Sequence, residues 1–552
     1  MSSDPADDGV RDPEEPIVIH SEIQGELDDS TLALLDPPGA GVVDEPEPRT
    51  ERPAVIRQPA SEPIALPPGA SDASLGPAER VPPPDLSPSN TKRAFALDAL
   101  RGLFLVSMTL GFTLSSDKLP VWMYHRQFPP PGDNPVNVAG ISWRDLAYGS
   151  FLFTMAAALP LTLARRIRKE GDQFSILGAA ARRYGMLMVY ALLVAASNTY
   201  FIGYTDVGRV LAIVGFGILA LVFTRRRPDW NEQRFALFRR AGWVLAILFL
   251  ALSPLAYGKT FTFTRIDDVI VDLAVASAIG MTVWYFTREN LTPRIVFLAA
   301  CVALDLSAKS DGWVQQWWYS SPVSWAFGFN QLSLMTVVIP GTIAGDALLW
   351  WMRAREEGTD ETVRWSRARM TLIAALTAAF TPIVVVGLYN RYVEGTTAWC
   401  LALLLVGWVA TRKPTTPLER LIKTLYGWGA IWLMIGLFLE PSEGGIKKVP
   451  ETLTYFFTVT GTTSMLLVSL AAVIDGLGKL RPVSALVDFG QNPLFGYVLY
   501  TVLLNSILEL IPPLRPVLQG TALQSLVRSV LMCFVVIMTV RHLSRKRIYW
   551  RT

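Results

Sequence analysis

Fourteen long apolar runs constrain the fold more than any other feature of this chain. A helix needs about 20 apolar residues to cross the hydrocarbon of a bilayer, and a backbone in lipid must satisfy its own hydrogen bonds. The runs therefore predict an all-α fold, a polytopic transmembrane helical bundle of about 12–14 spans. The predicted spans are 96–114, 147–164, 185–203, 207–224, 241–257, 268–286, 293–306, 332–351, 371–389, 396–411, 422–439, 453–474, 490–509 and 524–541.

Charge divides the chain into an acidic tail, residues 1–91, and a basic membrane body, residues 92–552. The tail holds 19 Asp and Glu against 5 Arg, a net charge of −14, although the whole chain carries +3. It is rich in Pro and poor in aromatic residues, so it cannot bury enough apolar surface to offset the entropy of ordering. We expect a disordered, Pro-rich cytoplasmic tail followed by one multi-pass domain.

Basic residues cluster between the spans in a pattern that predicts orientation. The clusters are 165–169, 225–227, 239–240, 353–369, 412–413 and 541–551. With an even number of spans, all of them fall on one face, which the positive-inside rule assigns to the cytoplasm. Both termini are then cytoplasmic, in the inner membrane if the cell is bacterial. This topology accounts for the basic clusters without nucleic-acid binding, and the lipid bilayer is an expected partner.

Cysteine usage argues against a metal centre or a disulfide framework. Cys301, Cys400 and Cys533 each lie singly inside an apolar run, with no CxxC spacing. Such positions are typical of small buried apolar residues. We expect no metal.

Histidine narrows the search for chemistry to one position. His20 lies in the tail and His542 in the basic C-terminal run, whereas His125 follows the first span on the predicted non-cytoplasmic side. An imidazole there can take and return a proton or carry an acyl group. Asp145 opens the second span beside Trp143, and a carboxylate next to the imidazole would fix its tautomer. The alternative is an interfacial histidine near a helix-capping aspartate.

Charged residues inside the spans are the other candidates. Asp98 and Arg101 stand three residues apart at the start of the first span, so they share a helix face and can pair. The pair either anchors the helix at the interface or belongs to a cytoplasm-facing pocket for an anionic ligand, because a guanidinium suits phosphates. Asp272, Asp305 and Asp346 in later spans are expected to be structural.

The run Phe-Ala-Leu-Asp-Ala-Leu-Arg-Gly-Leu at residues 95–103 resembles the first core helix of the heparan-alpha-glucosaminide N-acetyltransferase family of transmembrane acyltransferases. His125 falls where that family places its functional histidine. Further similar motifs follow in the family's order, at residues 143–146, 151–153, 208–211, 446–448, 492–500 and 547–550. The likeness covers roughly residues 93–552 as scattered motifs.

The chain also departs from the family pattern. A Pro-rich insertion follows His125, Ala212 and Ile213 replace a Gln-Arg pair, and Tyr500 replaces a second histidine. The family core has about ten helices, so two hairpins, 268–306 and 371–411, are expected to be extra.

The resemblance implies transfer of an acyl group, such as acetyl, from cytosolic acyl-CoA (acetyl-CoA) as co-substrate to an extracytoplasmic amino sugar or envelope glycan. It implies that His125 is the general base or acyl carrier and that Asp145 orients it. Acyl-CoA- or substrate-binding roles are implied for Asp98, Arg101, Trp143, Lys448, Asn492, Tyr497 and Tyr500. A homo-oligomer remains open, as do two alternatives: a non-catalytic acyltransferase-like membrane protein and a small-molecule transporter.

Overall fold

A computed structural model describes residues 93–114, 118–130, 135–170, 173–256, 258, 262–321, 323, 325–357, 363–511 and 521–552. The tail predicted over residues 1–91 lies outside the described residues. The described part is all-α and contains no strand. Its helices are α1 (Phe95–Thr113), α2 (Leu146–Glu170), α3 (Gln173–Ser197), α4 (Thr199–Ile202), α5 (Asp206–Phe223), α6 (Glu232–Ala256), α7 (Asp268–Thr287), α8 (Leu291–Ser307), α9 (Trp313–Trp318), α10 (Met335–Glu356), α11 (Arg367–Tyr389), α12 (Val393–Ala410), α13 (Pro417–Leu439), α14 (Leu453–Ala471), α15 (Ser484–Gly490), α16 (Pro493–Val498), α17 (Asn505–Leu510) and α18 (Ala522–Arg545).

Thirteen helical segments of the described chain are long and apolar enough to cross a membrane. They confirm the prediction of 12–14 spans. The last but one combines α16, a π-helical turn at Leu499–Leu504 and α17. The one predicted span that is not among these thirteen, 293–306, forms α8, whose 17 residues extend about 26 Å at 1.5 Å per residue.

Loop contacts place one set of helix ends together with His125, at what we call the histidine end. Lys309, just after α8, forms an ion pair with Glu443, and Arg391, between α11 and α12, forms one with Glu440. The loop 440–452 therefore meets loops that are far away in the sequence. α8 thus returns to the histidine end after α7 has left it.

The opposite set of loops meets at the C-terminal end of the bundle. The N–H of Arg225, after α5, donates to the carbonyl of Tyr549 at 2.7 Å. Arg541 of α18 lies 3.3 Å from Asp488 of α15. The C-terminal ends of α5 and α18 therefore lie together, beside α15.

α3 differs from its predicted span, 185–203. The helix starts at Gln173 because it continues beyond the apolar stretch through a polar segment that contains Arg182 and Arg183. It ends at Ser197, where the side chain of Asn198 caps the short helix α4. Hydropathy marks the part of a helix that lies in hydrocarbon, and the polar extension carries no such signal.

The first of the two expected extra hairpins, 268–306, corresponds to α7 and α8, and the second, 371–411, to α11 and α12. α7 packs against α2 and α3, whereas α11 packs against α14. The first hairpin therefore touches the helix that follows Asp145.

Candidate functional site

His125 and Asp145 form a hydrogen-bonded pair at the histidine end. The imidazole Nδ1 lies 2.5 Å from Asp145 Oδ1. The other carboxylate oxygen accepts from the Ser142 N–H at 2.7 Å, the Ser142 hydroxyl at 2.9 Å and the Arg126 N–H at 3.2 Å. A carboxylate at Nδ1 favours the tautomer that carries its proton there. Nε2 is then the ring nitrogen with a free lone pair.

Asp145 owes its position to the helix that follows it and to α14. Its backbone carbonyl accepts the Tyr455 hydroxyl at 2.7 Å. One and a half turns further along α2, the hydroxyls of Ser150 and Thr463 lie 2.6 Å apart. These two bonds fix the start of α2 against α14, so the carboxylate is held on a rigid element.

The surroundings set the charge state of the pair. Burial and the nearby Lys448 ammonium lower the pKa of His125 to about 4, against the opposing hydrogen bond to Asp145. Burial alone would raise the pKa of Asp145, but the hydrogen bond and charge of His125 and the charge of Lys448 hold it below its usual value. At neutral pH a neutral imidazole therefore faces an ionised carboxylate. The His125 side chain is 26% exposed and Asp145 is fully buried, so the free nitrogen is the accessible part.

Lys448 reaches this site from the loop before α14. Its ammonium lies 5.7 Å from the centre of the Tyr148 ring. The backbone N–H of Lys448 donates to the side-chain oxygen of Gln127 at 3.4 Å. The amide nitrogen of Gln127 donates at 2.9 Å to the carbonyls of Val138 and Gly140. Gln127 thus ties the Pro-rich insertion to the Lys448 loop.

Two further carboxylates lie at the same end. The Tyr148 hydroxyl donates to Asp272 at 2.7 Å, and the Gln331 amide donates to its other oxygen at 2.9 Å. Burial and the charge of Asp272 raise the pKa of Glu451 to about 7, although Glu451 is itself exposed to water. Glu451 therefore lies near Asp272. We refer to His125, Asp145, Lys448, Asp272 and Glu451 together as the histidine recess.

Sequence reasoning treated Asp272 as structural and missed Glu451. The signal for Glu451 was weak: it stands three residues after Lys448, in a loop that sequence alone cannot place next to α7. Trp143, a predicted site residue, is half-buried on the segment between the insertion and α2.

Two predicted tyrosines lie apart from the hydrogen-bonded pair of His125 and Asp145, which we call the dyad. The Tyr497 hydroxyl is 3.2 Å from Asp267, the N-cap of α7. The Tyr500 hydroxyl is 3.5 Å from the side-chain oxygen of Asn505. Tyr497 therefore connects the α16–α17 span to α7, and Tyr500 contacts α17 of its own span.

A second group of charges surrounds Arg101 in the half of the bundle toward the C-terminal end. Arg101 lies 3.5 Å from Asp98 and donates to the Thr154 carbonyl at 3.0 Å. Arg183 and Arg551 lie close enough that the three guanidinium groups repel one another. We call Arg101, Arg183 and Arg551 the arginine cluster.

The arginine cluster carries more positive charge than its surroundings neutralise. Burial and Arg101 lower the pKa of Arg551 to about 10, with Asp98 opposing them. The Arg183 Nε is buried and has no hydrogen-bond partner among the described residues. Three guanidinium groups around one carboxylate form a site suited to an anion.

Asn492 holds the segment that carries Arg551. Its side-chain oxygen accepts the Trp550 N–H at 3.0 Å, and its amide nitrogen donates to the Ile548 carbonyl at 3.1 Å. The predicted ligand-binding residue thus positions the C-terminal segment beside the cluster. Sequence reasoning missed Arg183 and Arg551 because α3 and the C-terminal segment are distant from α1 along the chain.

The dyad and the arginine cluster are linked by α2. Thr154, whose carbonyl accepts from Arg101, follows Asp145 by nine residues, or about 14 Å of helix. The two groups of residues thus lie at different depths of one bundle.

No group of three or more metal-ligating side chains occurs in the part of the chain that the structure describes. Cys301, Cys400 and Cys533 are all buried free thiols.

Residues 93–348 match a protein family described as a domain of unknown function, DUF5009. The matched segment extends from α1 into α10 and contains the dyad, Asp98, Arg101 and Arg183, whereas Lys448, Asn492 and Arg551 lie beyond it. A comparison with curated proteins finds no match to the chain.

Proposed function

We propose that this protein is a multi-pass membrane acyltransferase that moves an acyl group, such as acetyl, from cytosolic acyl-CoA to an extracytoplasmic amino sugar or glycan. The observation that carries the proposal is the pair of His125 and Asp145, a neutral imidazole on an ionised carboxylate at the histidine end. Asp–His pairs of this kind serve general-base catalysis in acyl transfer.

The proposed orientation places the C-terminal end in the cytoplasm. The basic residues 225–227 and 541–551 meet at that end through the Arg225–Tyr549 hydrogen bond. The positive-inside rule assigns such clusters to the cytoplasm. Both termini are then cytoplasmic, and the histidine recess faces the other side, in the inner membrane of a bacterial cell.

The arginine cluster is the proposed site for the anionic part of the donor. Acyl-CoA is a polyanion, and guanidinium groups bind phosphate oxygens with paired hydrogen bonds. The unpartnered Nε of Arg183 and the excess charge around Arg101 both favour such a ligand. From there the acyl thioester would reach into the bundle toward His125.

The proposed chemistry needs a base and an oxyanion donor. The acceptor nitrogen or oxygen attacks the thioester carbonyl carbon, and a C–N or C–O bond forms as the C–S bond breaks. His125 Nε2 takes the acceptor's proton and delivers it to the departing thiolate, and Asp145 stabilises the transient imidazolium. Lys448 would stabilise negative charge on the carbonyl oxygen.

Asp272 and Glu451 support an amine as acceptor. Both carboxylates lie in the histidine recess, within electrostatic reach of each other. They would hold the ammonium group of an amino sugar, and Glu451, with its raised pKa, can accept the proton that the ammonium must lose before attack.

The test is acyl transfer by the purified full chain in liposomes, from labelled acetyl-CoA to a panel of amino sugars. We expect His125→Ala to lower turnover by about 10²–10⁴-fold, the range for loss of a general base. His542→Ala, at the C-terminal end, is the matched control and should keep wild-type turnover. Equal turnover in all three proteins would overturn the assignment. Acceptor flux into vesicles without acyl-CoA would indicate a transporter instead.

A further inference from the structure

A groove opens between α10 and α13 near the C-terminal end, with a volume of about 620 Å³. It is separate from both the histidine recess and the arginine cluster. Its principal lining residues are Trp350, Arg420, Lys423, Gly427, Trp428 and Ile431.

The mouth of the groove is positively charged and uncompensated. Arg420 and Lys423 are both exposed, and neither side chain has a hydrogen bond or ion pair within the described chain. The adjacent Glu419 is no counter-charge for them, because it is fully buried and accepts the N–H groups of Trp365 and Thr415 at 2.8 Å. The cationic pair therefore faces outward without a partner among the residues that the structure describes.

The groove continues from this charged mouth as an apolar channel. Residues 420, 423, 427 and 431 follow one another at helical spacing, so they form one stripe on α13. The part of the stripe beyond Lys423 extends about 12 Å. Apart from Gly427 itself, its two chain neighbours and the nearby backbone of α13, no described atom lies within 4 Å of the place where a Cβ of Gly427 would stand. Trp428 stacks on Trp432, with ring centroids 5.3 Å apart, and gives the channel a rigid wall.

We propose that this groove is a binding site for an anionic phospholipid of the cytoplasmic leaflet. The phosphate binds Arg420 and Lys423, and one acyl chain lies along Gly427, Trp428 and Ile431. Charge complementarity selects the occupant: two unpaired cations favour a lipid with net negative charge over a zwitterionic one. The site does not depend on acyl transfer, so either proposal stands if the other fails.

The experiment measures phospholipid retained on the detergent-purified full chain by native mass spectrometry, after exchange into equal parts phosphatidylglycerol and phosphatidylcholine. We expect wild type to retain phosphatidylglycerol. The double variant Arg420→Gln, Lys423→Gln should retain at least about tenfold less of it than wild type, as the loss of two charge-assisted bonds predicts. The double variant Arg239→Gln, Arg240→Gln on α6 makes the same change in charge away from the groove and should retain the lipid.

A second variant tests the channel without changing charge. Gly427→Leu fills open space and raises helix propensity, so the protein should fold and yet lose phosphatidylglycerol. Equal phosphatidylglycerol retention by wild type and both groove variants would overturn the site. Displacement of the lipid by millimolar inorganic phosphate would also overturn the site, because it would assign the cations to a free anion. The site would likewise be overturned if a second copy of the chain occupied the groove in place of lipid.

Discussion

His125 is suited to its proposed role by its neighbours. Asp145 accepts at Nδ1 and leaves Nε2 free, while burial and Lys448 keep the ring neutral by lowering its pKa to about 4. A histidine with its ordinary pKa of about 6.5 would be partly protonated in a mildly acidic envelope. The site thus keeps the imidazole neutral at low pH, although an imidazole with a lower pKa is a weaker base than an ordinary histidine.

The pH profile tests this environment. Protonation of Glu451 should lower the rate near pH 7, and protonation of His125 should abolish it at lower pH. The limb of kcat/KM that His125 sets should lie near pH 4, since kcat/KM reports groups of the free enzyme. Lys448→Gln removes a cation that disfavours the imidazolium, so the pKa of His125 rises and the limb moves to higher pH. Lys447→Gln is the matched control, because the Lys447 ammonium bonds Asn137 instead. A limb that stays in place, or that moves down in Lys448→Gln, would contradict this account.

At the residue scale, sequence could pair His125 with Asp145 because both flank one loop between neighbouring spans. It could not find Glu451, Arg183 or Arg551, whose relevance depends on neighbours that are distant in the sequence. Asn492 shows the reverse case, because its motif was visible but its partners, the backbone groups of residues 548 and 550, were not.

At the element scale, α8 is joined to α10 by an ion pair whose arginine is buried. Arg294, only 1% exposed, lies 2.5 Å from Asp346. The Trp284 ring nitrogen of α7 donates to the same carboxylate at 2.7 Å. A charge in this setting must be compensated, and the pair gives Asp346 the structural role that the sequence predicted.

Removing one partner should destabilise the bundle. We expect Arg294→Gln to cost about 3 kcal/mol, the low end for a broken buried pair, because Asp346 is 36% exposed. Denaturant unfolding in detergent measures the change. Arg288→Gln, which breaks an exposed contact with Glu289, is the control and should cost less than about 1 kcal/mol. Equal losses in the two variants would refute the role of the pair.

The arginine cluster assembles from α1, α3 and the C-terminal segment, and its role in donor binding is testable separately from the chemistry. Arg183→Gln should raise the KM for acyl-CoA by about 10–100-fold, since a hydrogen bond to a charged group contributes about 1.5–3 kcal/mol. Arg182→Gln, the exposed neighbour, should leave KM near the wild-type value. An unchanged KM in Arg183→Gln would remove this arginine from the donor site.

Helix positions were predictable because the energetic cost of unpaired backbone in lipid leaves few alternatives. The details that escaped prediction have no hydropathy signal. The polar start of α3 is one, and the π-helical turns at Ala472–Gly476 and Leu499–Leu504 are others. The candidate site was predictable only in the part that lies between two adjacent spans.

At the scale of the whole molecule, acyl transfer across the membrane requires that the histidine end and the C-terminal end face opposite sides. Single cysteines can map them, because the native Cys301, Cys400 and Cys533 are buried. Ser442→Cys, exposed at the histidine end, should react with a membrane-impermeant maleimide on intact cells. Asp229→Cys, exposed at the C-terminal end, should react only after lysis. Labelling of both on intact cells would contradict their placement on opposite sides of the membrane.

The most direct test of the central claim is sided acyl transfer in sealed proteoliposomes of known orientation. Labelled acetyl-CoA is confined to one compartment and the amino-sugar acceptor to the other. Transfer through the bundle predicts product only when acetyl-CoA is on the side of the C-terminal end and the acceptor is on the side of His125. Equal product in both arrangements, or product only in the reverse one, would contradict transfer through the bundle.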